Sequence, residues 1–158
     1  MKKTGGLALA LLLSLLCLLC ACGVVQGEPP DTPETAVPTE AVMLDENGSY
    51  TSKEDVALYI RQYGRLPSNF ITKSEAQALG WSGGSLEPYA PGMSIGGDHF
   101  GNYEGLLPEG KGVTYTECDI DTRGADSRGA KRIVFSNKGS IYYSADHYES
   151  FVLLYGGE

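Results

Sequence analysis

The segment from Tyr115 to Ser136, YTECDIDTRGADSRGAKRIVFS, places carboxylates and cations close together in the chain. Polar and apolar residues alternate with period two over 115–120. This predicts a strand with Glu117 and Asp119 on one face and Cys118 and Ile120 on the other. A polar, glycine-rich loop leads to a second strand, and the two carry Arg123, Arg128, Lys131 and Arg132 in a chain of formal net charge -8. A carboxylate fixed on a strand beside these cations makes a small anion site. The same residues also describe a salt-bridged hairpin with a solvated face, because structural ion pairs are common.

Two further residues bear on the choice. In Thr72-Lys73-Ser74-Glu75 the spacing predicts a capping box, with Thr72 as N-cap and Glu75 at the third helical position. Lys73 then falls in the first turn, where the helix dipole disfavours a cation. It is either a surface lysine indifferent to its position or, with the helix start, an attractor of anions. His147, in Ala145-Asp146-His147-Tyr148, falls in the loop between the last two strands, where a side chain can overhang the sheet. A strand carboxylate, a loop imidazole and several cations together are suited to cleaving a phosphodiester without a metal: a base, an acid and groups to hold the developing charge. The other histidine, His99, lies in Asp98 to Gly105, DHFGNYEG, predicted as a loop whose Gly and Asn permit unusual backbone angles and whose aromatics can stack on a flat ligand.

The elements that must hold these groups follow in order along the chain. Ser52 caps a first helix with Glu54 and Asp55 in its first turn, Val56, Tyr59, Ile60 and Tyr63 on one face, and Gly64 at its end. The second helix runs from Thr72 to Gly80. From Trp81 to Gly97 the chain is punctuated by Gly and Pro, with at most one helical turn near Leu86 to Tyr89 and a bend or strand end at Ile95-Gly96-Gly97-Asp98. Strands are predicted at Val113–Ile120, Ala130–Phe135, Ser140–Ser144 and Phe151–Tyr155, with Asn137-Lys138-Gly139 as a hairpin turn. Helices first and strands later imply an α+β fold, N-terminal helices packed on a C-terminal antiparallel sheet.

Residues 1–22 read as a signal peptide: Lys2 and Lys3 precede an apolar run, Leu7 to Leu19, too short for a typical membrane span. The run ends in Leu19-Cys20-Ala21-Cys22, lipobox-like, with Cys22 as the lipidated residue. Ordinary cleavage near Val25-Gln26-Gly27 is the alternative, and both export the protein. Residues 23–50 hold six acidic residues and no Lys or Arg among Pro, Thr and Ala, and read as a disordered tether. The domain proper is 51–158, with fourteen acidic and ten basic residues. Of the four cysteines only Cys118 lies within it, so no disulfide forms there; opposite Glu117, it reads as a buried core residue.

Leu66-Pro67, the run Asn69 to Trp81 (NFITKSEAQALGW), Ala90-Pro91-Gly92 with Ser94-Ile95-Gly96-Gly97-Asp98, and Asp146-His147-Tyr148 occur in an order that resembles the barnase-like, extracellular, guanyl-preferring bacterial ribonucleases of the microbial ribonuclease superfamily. The likeness spans Ser52 to Leu153. It implies a metal-independent endoribonuclease without a cofactor that cuts single-stranded RNA after guanosine to a 2′,3′-cyclic phosphate. It gives Glu117 as base, His147 as acid, and Lys73, Arg128 and Arg132 as cations at the transition state. Phe100, Asn102, Tyr103 and Glu104 match the guanine-binding loop, and Tyr148 lies beside the base or the scissile group. It also implies a barstar-like proteinaceous inhibitor as a candidate partner; with the lipobox-like run, the expectation is a monomer that is secreted or lipid-anchored at the outer face of the cell membrane.

The sequence departs from that pattern in four respects. Tyr103 stands where an Arg is expected, the loop before Arg128 is about one residue longer, Ala130 replaces a hydroxyl-bearing residue, and the family's basic overall charge is absent. A drifted loop would favour the alternative, a catalytically weak RNA- or nucleotide-binding or protein-interaction module on the same fold.

Overall fold

A computed structural model describes residues 42–157. The expected signal peptide, Cys22 and residues 23–41 of the expected tether lie outside the described residues. Helix α1 (Lys53–Tyr63) starts where Ser52 accepts from the Asp55 amide and stops at Gly64, whose φ of 68° lets its N–H turn back to Ile60. Strand β1 (Phe70–Ile71) and helix α2 (Lys73–Ala78) follow, and α2 opens with the complete Thr72–Glu75 capping box. Five strands complete the chain: β2 (Ser94–Phe100), β3 (Tyr115–Asp119), β4 (Arg132–Ser136), β5 (Ile141–Ser144) and β6 (Val152–Tyr155).

They form one six-stranded sheet in sequential order, antiparallel except for the β1–β2 pair. The fold is thus α+β, but the sheet is not wholly antiparallel. It also begins earlier than the sequence suggests, because the region predicted as a bend and loop holds β2. Its pattern is obscured by Gly96 and Gly97. A Cβ at Gly96 would lie 2.6 Å from Cys118 Cβ and 2.7 Å from a Phe70 ring carbon. Gly97 takes φ 101° at a bulge in the β2–β3 register.

One sheet face packs on α1 through Val56, Ala57, Ile60, Cys118, Ile120, Ile133 and Ile141. Burial pushes the Cys118 thiol pKa up, as suits an inert core residue. The other face carries Leu107, Tyr115 and Val134, with Phe100, Tyr142, Tyr148 and Phe151 against them. Glu117 is on this second face. The last part of the expected tether is docked: Leu44 O accepts from Tyr63 OH at 2.5 Å, Glu46 O from Tyr59 OH at 2.8 Å, and Arg65 pairs with Glu46 at 2.9 Å. Two of these bonds use backbone carbonyls and the third a side-chain carboxylate, so no hydrophobic period marks them, and at the start of the described residues Val42 O accepts from Gln62.

Candidate active site

Adjacent strands set up the site. In the register, Glu117 on β3 stands opposite Asp98 on β2 and Val134 on β4. Asp98 accepts from the Lys73 backbone N–H at 2.9 Å and so ties the start of α2 to the sheet. This link carries Lys73 over β3, where its Nζ bonds Glu117 Oε1. With the Lys73 amide taken by Asp98 and the Thr72 and Glu75 amides by the capping box, three of the four amides from 72 to 75 are engaged within the protein. Lys73 contributes through its ammonium group.

Glu117 is 7% exposed, and its second oxygen, Oε2, accepts from the Tyr148 hydroxyl. Burial, and then this bond to Glu117, push the Tyr148 phenol pKa up, so it stays protonated and donates. Arg132 Nε in turn donates to the Tyr148 oxygen at 3.2 Å. The second carboxylate, Asp119, is 1% exposed. It accepts from Arg128 Nε at 2.6 Å and Nη2 at 2.8 Å in a bidentate pair, and Arg132 Nε lies 3.1 Å away as an ion pair. The bond to Asp119 raises the Arg128 pKa further. The Arg128 guanidinium lies 5.7 Å over the Trp81 ring. Arg132 Nη1 is spent on the Lys131 and Arg128 carbonyls. That leaves Arg128 Nη1 and Arg132 Nη2 without a protein partner among the described residues. Arg128 is half-buried at this point, whereas Arg132 is 2% exposed, so its Nη2 lies at the floor of the site.

His147 is exposed on the β5–β6 loop with φ 58°, and Tyr148 follows with φ 75°. Two successive non-glycine residues in the left-handed region require support. Asp146 gives it by accepting from Ser144 Oγ at 2.9 Å, from the Ser150 amide at 3.0 Å and from Ser150 Oγ at 2.5 Å. Ser144 Oγ also accepts from the Tyr148 amide at 2.7 Å, and the His147 amide donates to Ala130 O at 3.1 Å. The imidazole lies 4.8 Å from the Tyr148 ring. Tyr148 therefore touches both Glu117 and His147.

A cleft of about 660 Å³ opens beside them, lined by His99, Phe100, Tyr103, Glu104, His147 and Tyr148 among others. Phe100 packs beneath it, 5.1 Å from the Tyr148 ring. The Asn102 side chain is not free for a ligand. It exchanges two hydrogen bonds with the Leu107 backbone, at 2.9 and 3.0 Å, and closes the 102–107 loop from a left-handed backbone at φ 47°. Tyr103 is 93% exposed and Glu104 is exposed beside it.

The structure brings together Lys73, Glu117, Arg128, Arg132 and Tyr148 and sets His147, Phe100, Tyr103 and Glu104 around the adjoining cleft. It does not bring Arg123 or Lys131 to the carboxylate. Arg123 bonds Ser49 Oγ at 2.5 Å, and Lys131 pairs with Asp121 at 2.7 Å. Sequence reasoning missed the parts of Asp98, Asp119 and Asp146. Alternation put Asp119 on the polar face, but nothing local singled it out as the buried partner of two arginines.

A family model described as ribonuclease matches residues 53–155. A ribonuclease of Heyndrickxia coagulans is 50% identical over 100 residues, which cover 62% of this chain and 91% of that protein. A ribonuclease of Bacillus pumilus is also 50% identical over 100 residues, covering 62% of this chain and 61% of that protein. Guanyl-specific ribonuclease St of Saccharopolyspora erythraea is 44% identical over 57 residues, or 36% of this chain and 56% of that protein.

Proposed function

The chain belongs to the ribonuclease family, and from that premise we propose that it is an exported endoribonuclease that cuts single-stranded RNA after guanosine by metal-independent transphosphorylation. Glu117 takes the proton of the ribose 2′-hydroxyl as its oxygen attacks phosphorus. The bond from phosphorus to the 5′-oxygen breaks, and His147 gives that oxygen its proton. The products are a 2′,3′-cyclic phosphate and a free 5′-hydroxyl. Lys73 Nζ and the unpartnered nitrogens of Arg128 and Arg132 face the charge that develops on the phosphoryl oxygens. Backbone amides of the 100–104 loop and the Glu104 carboxylate supply the acceptor and donor pattern that guanine requires.

The observation that carries this reading is Tyr148, bonded through its hydroxyl to Glu117 and lying against His147 with its ring. It sets a carboxylate and an imidazole on either side of one group, at the edge of a cleft of about 660 Å³. The bidentate Arg128–Asp119 pair argues against a drifted phosphate loop and hence against a binding-only module. The test is cleavage of a GpN dinucleotide by the folded domain with and without EDTA. A cyclic phosphate formed at the same rate in both supports the proposal; no cyclic phosphate from any GpN refutes it.

Residues 1–22 direct export, and Cys22 carries a diacylglycerol, whose two chains suffice for stable anchoring. Cys22→Ser should release the protein into the medium. Unchanged membrane association would exclude the lipid.

A further inference from the structure

We propose that a second, smaller cleft behind the 100–102 ridge is a subsite for the base of the nucleotide on the 5′ side of the recognised guanosine, with His99 as its stacking face. This rests on the guanosine-directed reading above. The smaller cleft, of about 300 Å³, shares His99, Phe100, Gly101 and Asn102 with the larger one, and Glu109, Val113, Thr114 and Tyr115 complete its wall. It contains neither His147 nor Tyr148. The two clefts therefore flank one ridge, with the catalytic residues on one side only.

Strand polarity assigns the occupant. The scissile phosphate hangs from the 3′ side of the guanosine and must reach Glu117 and His147. With guanine on the ridge, the 5′ neighbour is carried away from those residues, toward the smaller cleft. A volume near 300 Å³ lies at the lower end for ligand sites and suits one base. The exposed Glu109 carboxylate would repel a phosphate but accepts from base N–H groups, which favours a base as occupant. The Asn102–Leu107 bonds hold the ridge in place, so both flanks are formed before RNA arrives. His99 is exposed near the end of β2, in a register opposite Thr116, and is the first of the residues that line both clefts. Stacking needs a flat ring and no base-specific contact, so the subsite should tolerate different bases.

The test is a ratio taken on one protein at a time, kcat/KM for ApGpA over that for GpA. Stacking of one base is worth about 1–3 kcal/mol, or a gain of about 5- to 150-fold. Wild type should show a gain of at least about fivefold. His99→Ala should bring the ratio to about one, and His99→Tyr should keep it. A wild-type ratio of one, or a gain that survives His99→Ala, overturns the subsite. Binding of the uncleavable 2′-deoxy analogues of the two substrates gives the same ratio without catalysis. If no GpN is cut but the deoxy trinucleotide still binds more tightly through His99, the catalytic reading fails and the subsite stands.

Discussion

Glu117 and His147 flank the same tyrosine but are held by different means. Glu117 lies within β3, paired by backbone register to strands on both sides, with Lys73 and Tyr148 on its two oxygens. Two residues on, the Asp119–Arg128–Arg132 cluster locks the same strand to the loop before β4 and, through Arg132, to Tyr148. His147 is exposed on a loop, and its place depends on two left-handed residues fastened by Asp146 and Ser144. Such backbone costs of order 1–3 kcal/mol per residue and persists only while its neighbours hold it. Glu117 is therefore fixed redundantly, and His147 by a few exposed or half-buried bonds. Truncating the two groups themselves should be comparably severe, whereas disturbing their supports should not.

The largest effects are expected from the groups themselves. Glu117→Ala and His147→Ala should each lower kcat/KM by about 10² to 10⁴, the range for acid–base catalysis, and wild type should show a bell-shaped pH profile. Activity within threefold of wild type for either variant would remove that residue from the mechanism. On the base side, Asp119→Ala leaves the nearly fully buried Arg132 without its carboxylate. Breaking a buried pair from one side costs about 3–5 kcal/mol, so urea unfolding should show a loss of that order. A loss below about 1 kcal/mol would mean that Tyr148 and the backbone carbonyls satisfy Arg132 unaided.

On the acid side, Asp146→Ala should reduce kcat by about tenfold with KM little changed, since a small misplacement of a catalytic group far exceeds its cost in stability. Asp146→Asn, which keeps one acceptor oxygen, should recover part of the loss. A rise in KM with kcat intact would place Asp146 in binding instead. Hydrogen bonds, that from Ser150 Oγ first, hold the Asp146 pKa down at about 2 from an ordinary 3.8. A lowered carboxylate pKa adds stability that is complete above the unfolded value and is lost as pH falls through the folded one. The clamp should thus stay closed above about pH 4 and open only toward pH 2, so the acidic limb of the rate profile should not shift in Asp146→Asn. A shifted limb would make Asp146 part of the titrating unit.

The helix caps were legible because capping is local: Ser52, the Thr72–Glu75 box and Gly64 act within four residues of themselves. The same holds for Cys118, whose burial follows from alternation along one strand. What could not be read depended on contacts distant in sequence. The strand character of β2 rests on close approach of Gly96 to Cys118 and Phe70. The pairing of Arg128 with Asp119 depends on a loop path anchored at Trp81, Ser85 and Glu87, where Ser85 Oγ donates to Ala125 O and Glu87 accepts from the Gly124 amide. The awkward place of Lys73 in a first helical turn has a counterpart across the fold. Its ammonium group bonds Glu117, 44 residues away, a contact that no local pattern marks.

The smallest expected effect concerns Tyr103, and it probes the loop side of the cleft through salt. Three cations, Lys73, Arg128 and Arg132, meet two carboxylates, Glu117 and Asp119, so the site has a modest positive excess in a mildly acidic domain. Repulsion between RNA and exposed acids fades beyond a Debye length of roughly 8 Å at physiological ionic strength, while contacts within the cleft are screened less. With two or three phosphates contacted, log affinity against log salt should have a slope of about −1.5 to −2 for single strands. Arg123 and Lys131 are engaged elsewhere and should add little. Tyr103 is almost wholly exposed, and its ring lies over Gly101 so closely that a Cβ there would collide with it. Position 103 thus points into solvent at the cleft rim, where a longer cationic side chain can reach a phosphate. Tyr103→Arg should tighten RNA binding at low salt and steepen the slope by up to about 0.7, the increment per phosphate on a single strand. Tightening by the same factor at every salt concentration would show that position 103 meets the base and not the backbone, and would move the loop's contribution from charge to stacking.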